Sequence, residues 1–327
     1  FFQLSIFLFI SIHFIDFVSA VMSRGECVVA EGHYKKPPFD KEYLVGELEE
    51  FLPIYRARPA DMGRERGGAL IDHSFAIWTL LRWIKPRYIV ESGVFHGWTT
   101  YLSRTAVPDA KIISIDPNDA HRFREDPNVQ FFTGSNFVDF TELDWNNLIP
   151  NAEDRCEKTV IFFDDHQSGI LRAAQAQFRG FCQFIYDDNY PINTGDNFSF
   201  KQACAGNGDA EQTSFMTDFK RGTWTRAGVN LGLVWDALRN GLDMYYEFPP
   251  IAVPALTKQT RYIVTDTTTP LLDENDEAWT RLSLSQFNGD RHITNLFLGS
   301  LNFYNSYVHI NYVRLKKDQR FLPIETK

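Results

Sequence analysis

Arg87-Tyr-Ile-Val-Glu-Ser-Gly-Val-Phe-His-Gly-Trp-Thr-Thr100, followed by Lys111-Ile-Ile-Ser-Ile-Asp-Pro117, decides the fold of this chain. Tyr88, Ile89 and Val90 are strand formers bounded by Pro86 and Gly93, and Ile112, Ile113 and Ile115 repeat the pattern. The segment therefore predicts a buried strand, a glycine turn, a helix, and a second buried strand ending on an acid. Asp116 follows Gly97 by 19 positions, where an acid at a strand tip can take ribose hydroxyls. A nucleoside-bearing cofactor over the carboxyl ends of a parallel sheet is the expectation.

The glycine spacing narrows the cofactor. A dinucleotide pyrophosphate calls for G-x-G-x-x-G, so that backbone N–H groups and a helix N-terminus can meet its charge. Here the pattern is Glu91-x-Gly93-x-x-x-Gly97-x-Thr99, with bulky Phe95 and His96 where a pyrophosphate needs room. The pattern resembles motif I of class I S-adenosylmethionine-dependent methyltransferases, in the form found in macrocin-type O-methyltransferases and cephalosporin-hydroxylase-like proteins. The resemblance implies a three-layer α/β, Rossmann-like sandwich with a mostly parallel sheet and a final antiparallel strand. It also implies that Glu91, Gly93, Gly97 and Thr99 serve the cofactor's methionine side. Asp116 would take the ribose, and Ser135, after a third strand Val129–Ser135, would lie beside the adenine. The alternative is a strand–turn–helix whose glycines merely allow the turn. Ser92 departs from the usual apolar residue of the motif.

A second constellation lies downstream. Thr159-Val-Ile-Phe-Phe-Asp-Asp-His166 is an apolar run ending in two acids and a histidine. A helical stretch follows, with Ile170, Leu171, Ala174, Phe178 and Phe181 close to a 3.6 period, Ser168 as N-cap and Gly180 as stop. Then comes Gln183-Phe-Ile-Tyr-Asp-Asp-Asn189, a short strand also ending in acids. Two strands joined by one helix lie parallel with both carboxyl ends on one edge, about 4.8 Å apart. Asp164 or Asp165 can thus converge with Asp187 and Asp188, and crowded carboxylates repel unless a cation sits among them. Oxygen-only ligands favour Mg²⁺ or another hard divalent ion. The resemblance, which covers roughly residues 70–190, implies the same ligand set, with His166 as general base.

Composition sets the outer bounds. The chain has 327 residues, 44% hydrophobic and 15% aromatic, with a net charge of −9 and no basic run longer than Arg314-Leu-Lys-Lys317. Binding to a nucleic-acid backbone needs clustered Lys and Arg, so nucleic acid is excluded as a partner and a small-molecule acceptor expected. Phe2 to Val21 is almost wholly apolar, and Val18-Ser19-Ala20 resembles a signal-peptidase site. Residues 1–21 therefore predict a secretory signal or an uncleaved membrane anchor; translation from Met22 would instead give a cytoplasmic protein. Residues 22–70 read as a lead or cap with one helix near Tyr43–Tyr55, and residues 71–327 as the α/β domain with a loop insertion about 190–215.

Several residues stay open at this level. Asp72 to Ile84 reads as a helix capped by Asp72, with His73 a capping-region residue or, alternatively, one that faces a ligand. Cys182 and Cys204 flank the acidic loop and could pair; all four cysteines free and buried is the other reading. Asn197-Phe-Ser199 is the one glycosylation sequon. Tyr307-Val-His-Ile-Asn-Tyr-Val-Arg314 alternates as the final antiparallel strand should. The function expected is metal-assisted methyl transfer from S-adenosylmethionine to a hydroxylated acceptor, a sugar by family analogy. The rivals are a non-catalytic, carbohydrate-binding member of the fold and a metal-dependent hydrolase or glycosyltransferase.

Overall fold

The computed structural model describes residues 35–59, 62, 69, 71–119, 126–190, 197–205, 214–220, 223–228, 240–249, 251, 271–272, 276–278, 282 and 310–318. The segment 1–21 and the residues Tyr307 to His309 of the final strand lie outside them. Among the described residues no helix is long and apolar enough to cross a membrane.

Five parallel strands form the heart of the molecule: β1 (Tyr88–Ser92), β2 (Lys111–Asp116), β3 (Val129–Thr133), β4 (Thr159–Phe163) and β5 (Gln183–Tyr186). Two further strands, β6 (Ser214–Lys220) and β7 (Thr223–Gly228), pair as a separate hairpin. The main sheet is completed by β8 (Leu242–Glu247) and β9 (Asn311–Leu315), giving the order β3-β2-β1-β4-β5-β9-β8. β9 runs antiparallel to both its neighbours. The expected final antiparallel strand is therefore present, and it is inserted inside the sheet, not added at its rim.

Strand alternation sorts the side chains into two cores. Ile89, Ile112, Val160, Phe162, Ile185 and Tyr312 face one side, and Val90, Ile113, Ile161, Phe163, Phe184 and Val313 the other. The first face is covered by α1 (Lys41–Arg56), α2 (Ile71–Ile84) and α3 (Trp98–Ala106). The opposite face is covered by α4 (Trp145–Leu148), α6 (Gly169–Phe178) and α7 (Phe200–Ala205), with α5 (Ala152–Glu157) leading into β4. Strands buried on both faces favour continuous apolar runs; β4 supplies one, and β1 and β2 supply Tyr88–Val90 and Ile112–Ile113 with polar residues toward their carboxyl ends. The result is the three-layer α/β sandwich.

Two helix starts differ in how well the sequence foretold them. Ser168 caps α6, its Oγ accepting from the Leu171 amide at 3.3 Å. Asp72 does not cap α2 but lies inside its first turn, and its Oδ1 accepts from the Ile251 amide 2.9 Å away. A tertiary partner far along the chain has displaced the local capping bond.

Candidate functional site

The order β3-β2-β1-β4-β5 reverses direction between β1 and β4, so the crevice outside their carboxyl ends is the natural ligand position in such a sheet. The chain closes that crevice tightly. Gly93 has φ +100°, and a Cβ there would sit on the Asp164 carbonyl oxygen and 3.2 Å from the Asp165 amide. Only glycine lets the two strand tips meet in this way.

On the β1 side every polar group already has an internal partner. Glu91 is 1% exposed and points under α3. Thr99 and Thr100 donate their hydroxyls to its two carboxylate oxygens, and Ser114 donates to it from β2 at 2.8 Å. Burial pushes the Glu91 carboxyl above its usual range, opposed by these three hydroxyls. Asp116 Oδ2 accepts from the Val94 and Phe95 amides at 2.8 and 2.9 Å, and its Oδ1 accepts from the Asn118 amide at 2.7 Å. Gly97 stands in the left-handed region as the cap residue of α3, and Ser135 lies exposed in a short 3-10 turn after β3.

Glu91, Gly93, Gly97, Thr99 and Asp116 thus gather around one turn, with the side chains of Glu91, Thr99 and Asp116 engaged in holding it, while Ser135 lies in the separate turn after β3. Glu91 and Thr99 satisfy each other and do not present free groups to a ligand. A carboxylate has about four acceptor positions. Three backbone donors at Asp116 leave capacity for one ribose hydroxyl, not the two expected. Ser92 also finds its reason: its Oγ donates to Asp165 Oδ2 at 2.7 Å, lacing the tip of β1 to that of β4.

The β4 and β5 tips are different in kind. Parallel pairing sets Phe163 level with Tyr186, so the acids that follow emerge side by side. A cleft here is lined by Asp164, His166, Asp187, Asp188, Asn189 and Asn197, with aromatic walls from Phe163, Tyr186 and Phe200. None of Glu91, Gly93, Gly97, Thr99 and Asp116 lines it. Ligand atoms of Asp164, His166 and Asp188 all lie within 4.8 Å of one another. His166 Nδ1 is 2.9 Å from Asp188 Oδ2, and both residues hold positive φ, 54° and 58°. Non-glycine residues in that region cost free energy and persist where the surroundings hold them.

Two of the four expected metal ligands are engaged elsewhere. Asp165 is bound by Arg172, which reaches it through Nε at 2.9 Å and Nη2 at 2.8 Å. Arg172 simultaneously holds Asp139. A guanidinium fork matches two carboxylates at once, and so Asp165 anchors the loop while Asp164 lines the cleft. Asp187 Oδ1 lies 2.6 Å from Nδ1 of His73, a buried residue of α2, and accepts the Asp188 amide at 3.0 Å. The group of side chains able to hold a cation is two carboxylates and an imidazole, where oxygen-only ligands were expected. Such a set accepts Mn²⁺ and other first-row divalent ions as well as Mg²⁺.

Electrostatics mark the cluster as short of positive charge. Asp164 is half-exposed as a residue, yet burial of its carboxyl, then Asp187 and Asp188, push it well above the usual carboxylate range. Asp187 is raised well above the usual carboxylate range by burial and by Asp188. Burial lowers His73 to about 4 against the pull of Asp188 and Asp72, so its ring is neutral near pH 7. Acids this close must share protons or a cation.

Sequence reasoning missed Arg172 and undervalued His73. The available signal was the polar triplet Asp72-His73-Ser74 opening a largely apolar helix that is buried from Ile71 to Leu81. The cysteines were also misassigned: the disulfide joins Cys156 to Cys182, across Cα atoms 4.6 Å apart. It ties the end of α5 to the residue before β5, behind the acids. Asn197 of the sequon is 8% exposed and forms part of the cleft wall.

No family model and no curated protein matches this chain. Among solved structures, an apo form of CmcI shares 20% identity over 42% of this chain and 64% of its own, with a TM-score of 0.30. CmcI with magnesium and S-adenosylmethionine shares 21% identity over 42% and 65%, with a TM-score of 0.28. The S-adenosylhomocysteine-bound methyltransferase PaMTH1 of Podospora anserina shares 18% over 54% and 70%, at 0.26. The chain spans just under two thirds of the length of the CmcI structures.

Proposed function

We propose that the protein is an S-adenosylmethionine-dependent O-methyltransferase assisted by a divalent cation and acting on a small hydroxylated acceptor. The observation that carries this reading is the meeting of Asp164, His166 and Asp188 at the carboxyl edge, beside the β1–β4 crevice where the motif I turn closes. Asp164, Asp188 and His166 would hold the cation, and the β1–α3 turn with Asp116 would hold the nucleoside. When bound, S-adenosylmethionine supplies an electrophilic methyl group and the cation lowers the pKa of a coordinated hydroxyl.

The chain's own residues then have definite tasks. Asp164 and Asp188 supply negative charge that a bound cation would neutralise, and such a cation would hold an acceptor hydroxyl at this edge of the crevice. His166 is half-exposed on its left-handed turn at the rim of the cleft, 2.9 Å from Asp188. If the cation takes His166 as ligand, the acceptor proton leaves to Asp187 or to water; otherwise the ring receives it as base. Phe163, Tyr186 and Phe200 supply apolar faces that exclude water from one side of the cleft. Sliding an aligned methyl onto an ionised oxygen needs little beyond this orientation.

Calorimetric titration with S-adenosylhomocysteine, with and without Mg²⁺ or Mn²⁺, tests the reading. Binding of both, with the cation lost in Asp188→Asn, supports it. Cation binding without S-adenosylhomocysteine binding would redirect the site toward hydrolysis or glycosyl transfer. A secretory or membrane location through residues 1–21, consistent with a disulfide-bonded domain, is part of the same proposal.

A further inference from the structure

We infer that His73 is a positioning residue for the cation site, acting through Asp187, which is the hub of the acid cluster and not one of its ligands. The inference rests on the cation reading of Asp164, His166 and Asp188 given above. Asp187 Oδ1 receives two contacts, from His73 Nδ1 at 2.6 Å and from the Asp188 amide at 3.0 Å. Asp187 lines the cleft beside Asp164 and Asp188. One side chain therefore holds the Asp188 backbone in its left-handed conformation, φ 58°, and with it the direction of the Asp188 carboxylate.

A hub can do this only if it cannot rotate, and His73 supplies the fixed point. Its side chain is 3% exposed and comes from α2, which packs on the opposite side of Asp187 from the cleft. The start of α2 is pinned on both flanks of His73. Asp72 accepts the Ile251 amide, while Ser74 donates to the Ala69 carbonyl and accepts from Trp98 Nε1 at 2.8 Å. An imidazole N–H held at such a place gives a carboxylate one permitted orientation. Groups of this kind, one bond removed from the ligands, commonly set metal affinity by 10- to 100-fold.

The test compares two nearly isosteric variants. In His73→Asn the amide Nδ2 falls close to where Nδ1 stood and keeps the donor; in His73→Leu the shape is kept and the donor removed. Mn²⁺ binding to the full chain is read by calorimetry and by the loss of the free-ion electron paramagnetic resonance signal, with thermal unfolding of the metal-free proteins as fold control. We expect His73→Asn to bind within a few-fold of the parent and His73→Leu to bind about 10- to 100-fold more weakly. Should His73→Leu fail to fold, His73→Gln, whose donor lies one methylene further out, replaces it and must weaken binding too. Parent-like Mn²⁺ affinity in the folded donor-less or displaced-donor variant overturns the positioning role while leaving the cation reading intact. A parent protein that binds no Mn²⁺ overturns that reading and the inference with it.

Discussion

The β1–α3 turn and the β4–β5 tips sit at the same sheet edge and are both rich in buried acids, yet they are finished differently. Glu91 and Asp116 are each met by three internal donors. Asp164, Asp187 and Asp188 chiefly meet one another and two histidines. A buried carboxylate with hydroxyl and amide donors is a structural element, since its charge is dispersed locally. A buried cluster of carboxylates without that supply is an unfinished electrostatic arrangement, completed only by protons or a cation. The first region holds a shape, and the second is made to receive charge.

The largest effect should come where the two regions touch. Gly93→Val places a side chain on the Asp164 backbone at φ +100° and should cost about 4 kcal/mol or more, combining backbone strain with overpacking. Urea unfolding measures it, and a loss under 1 kcal/mol (about one large surface substitution) would mean the crevice is looser than described. Next comes the staple behind the acids. Replacing Cys156 and Cys182 by serine opens a link of sequence separation 26, worth about 3.5 kcal/mol in the loop-entropy treatment. An unchanged melting temperature under reducing conditions would contradict the pairing.

The contrast itself is tested by a pair of substitutions. Glu91→Ala strands three buried hydroxyls and should destabilise by about 3 kcal/mol without a direct effect on Mn²⁺ binding. Asp188→Asn should abolish Mn²⁺ binding while leaving the metal-free protein equally or more stable, because it relieves repulsion at Asp164 and Asp187. Equal destabilisation by both would erase the distinction between the regions.

The smallest effect is a pH dependence of opposite sign at neighbouring acids. The native pKa values of Asp164 and Asp187 are raised above 3.8. Their protonated forms therefore favour the folded state fully below that value, and the benefit is lost as pH rises through the native values. Mn²⁺ should restore it. At Asp139 burial acts upward, but the hydrogen bonds and charge of Arg172 outweigh it and hold the native pKa below 3.8. Its contribution is present above 3.8 and lost as pH falls through the native value. Thermal midpoints of Asp187→Asn and Asp139→Asn against the parent, from pH 3 to 7 without metal (the span of ordinary carboxylate titration), should show slopes of opposite sign.

Much of the fold was legible in the chain. The apolar stretches Tyr88–Val90, Ile112–Ile113 and Val160–Phe163 marked β1, β2 and β4, because strands buried on both faces are rich in apolar residues. Ser168 announced α6 through a bond that spans three residues and needs no tertiary help. The alternation of Tyr312 and Val313 between the two cores likewise suited the antiparallel strand. Convergence of acids after β4 and β5 followed from strand parity and parallel pairing alone.

What the sequence by itself determined is therefore the set of elements, their faces, and the edge on which the acids collect, since these depend on local propensity and short-range periodicity. Which acid does what was settled only by the tertiary structure. Asp164 and Asp165 are adjacent and chemically identical, but Arg172 and Ser92 reach one and not the other. Asp187 and Asp188 are equally alike, yet a histidine 114 positions earlier in the chain contacts the first, while His166 contacts the second. Cys182 chose Cys156 over Cys204 because the pairing of β4 with β5 brings those backbones to 4.6 Å. Contacts between residues distant in sequence depend on how whole layers dock, and no local pattern encodes the angle at which α2 meets the tip of β5.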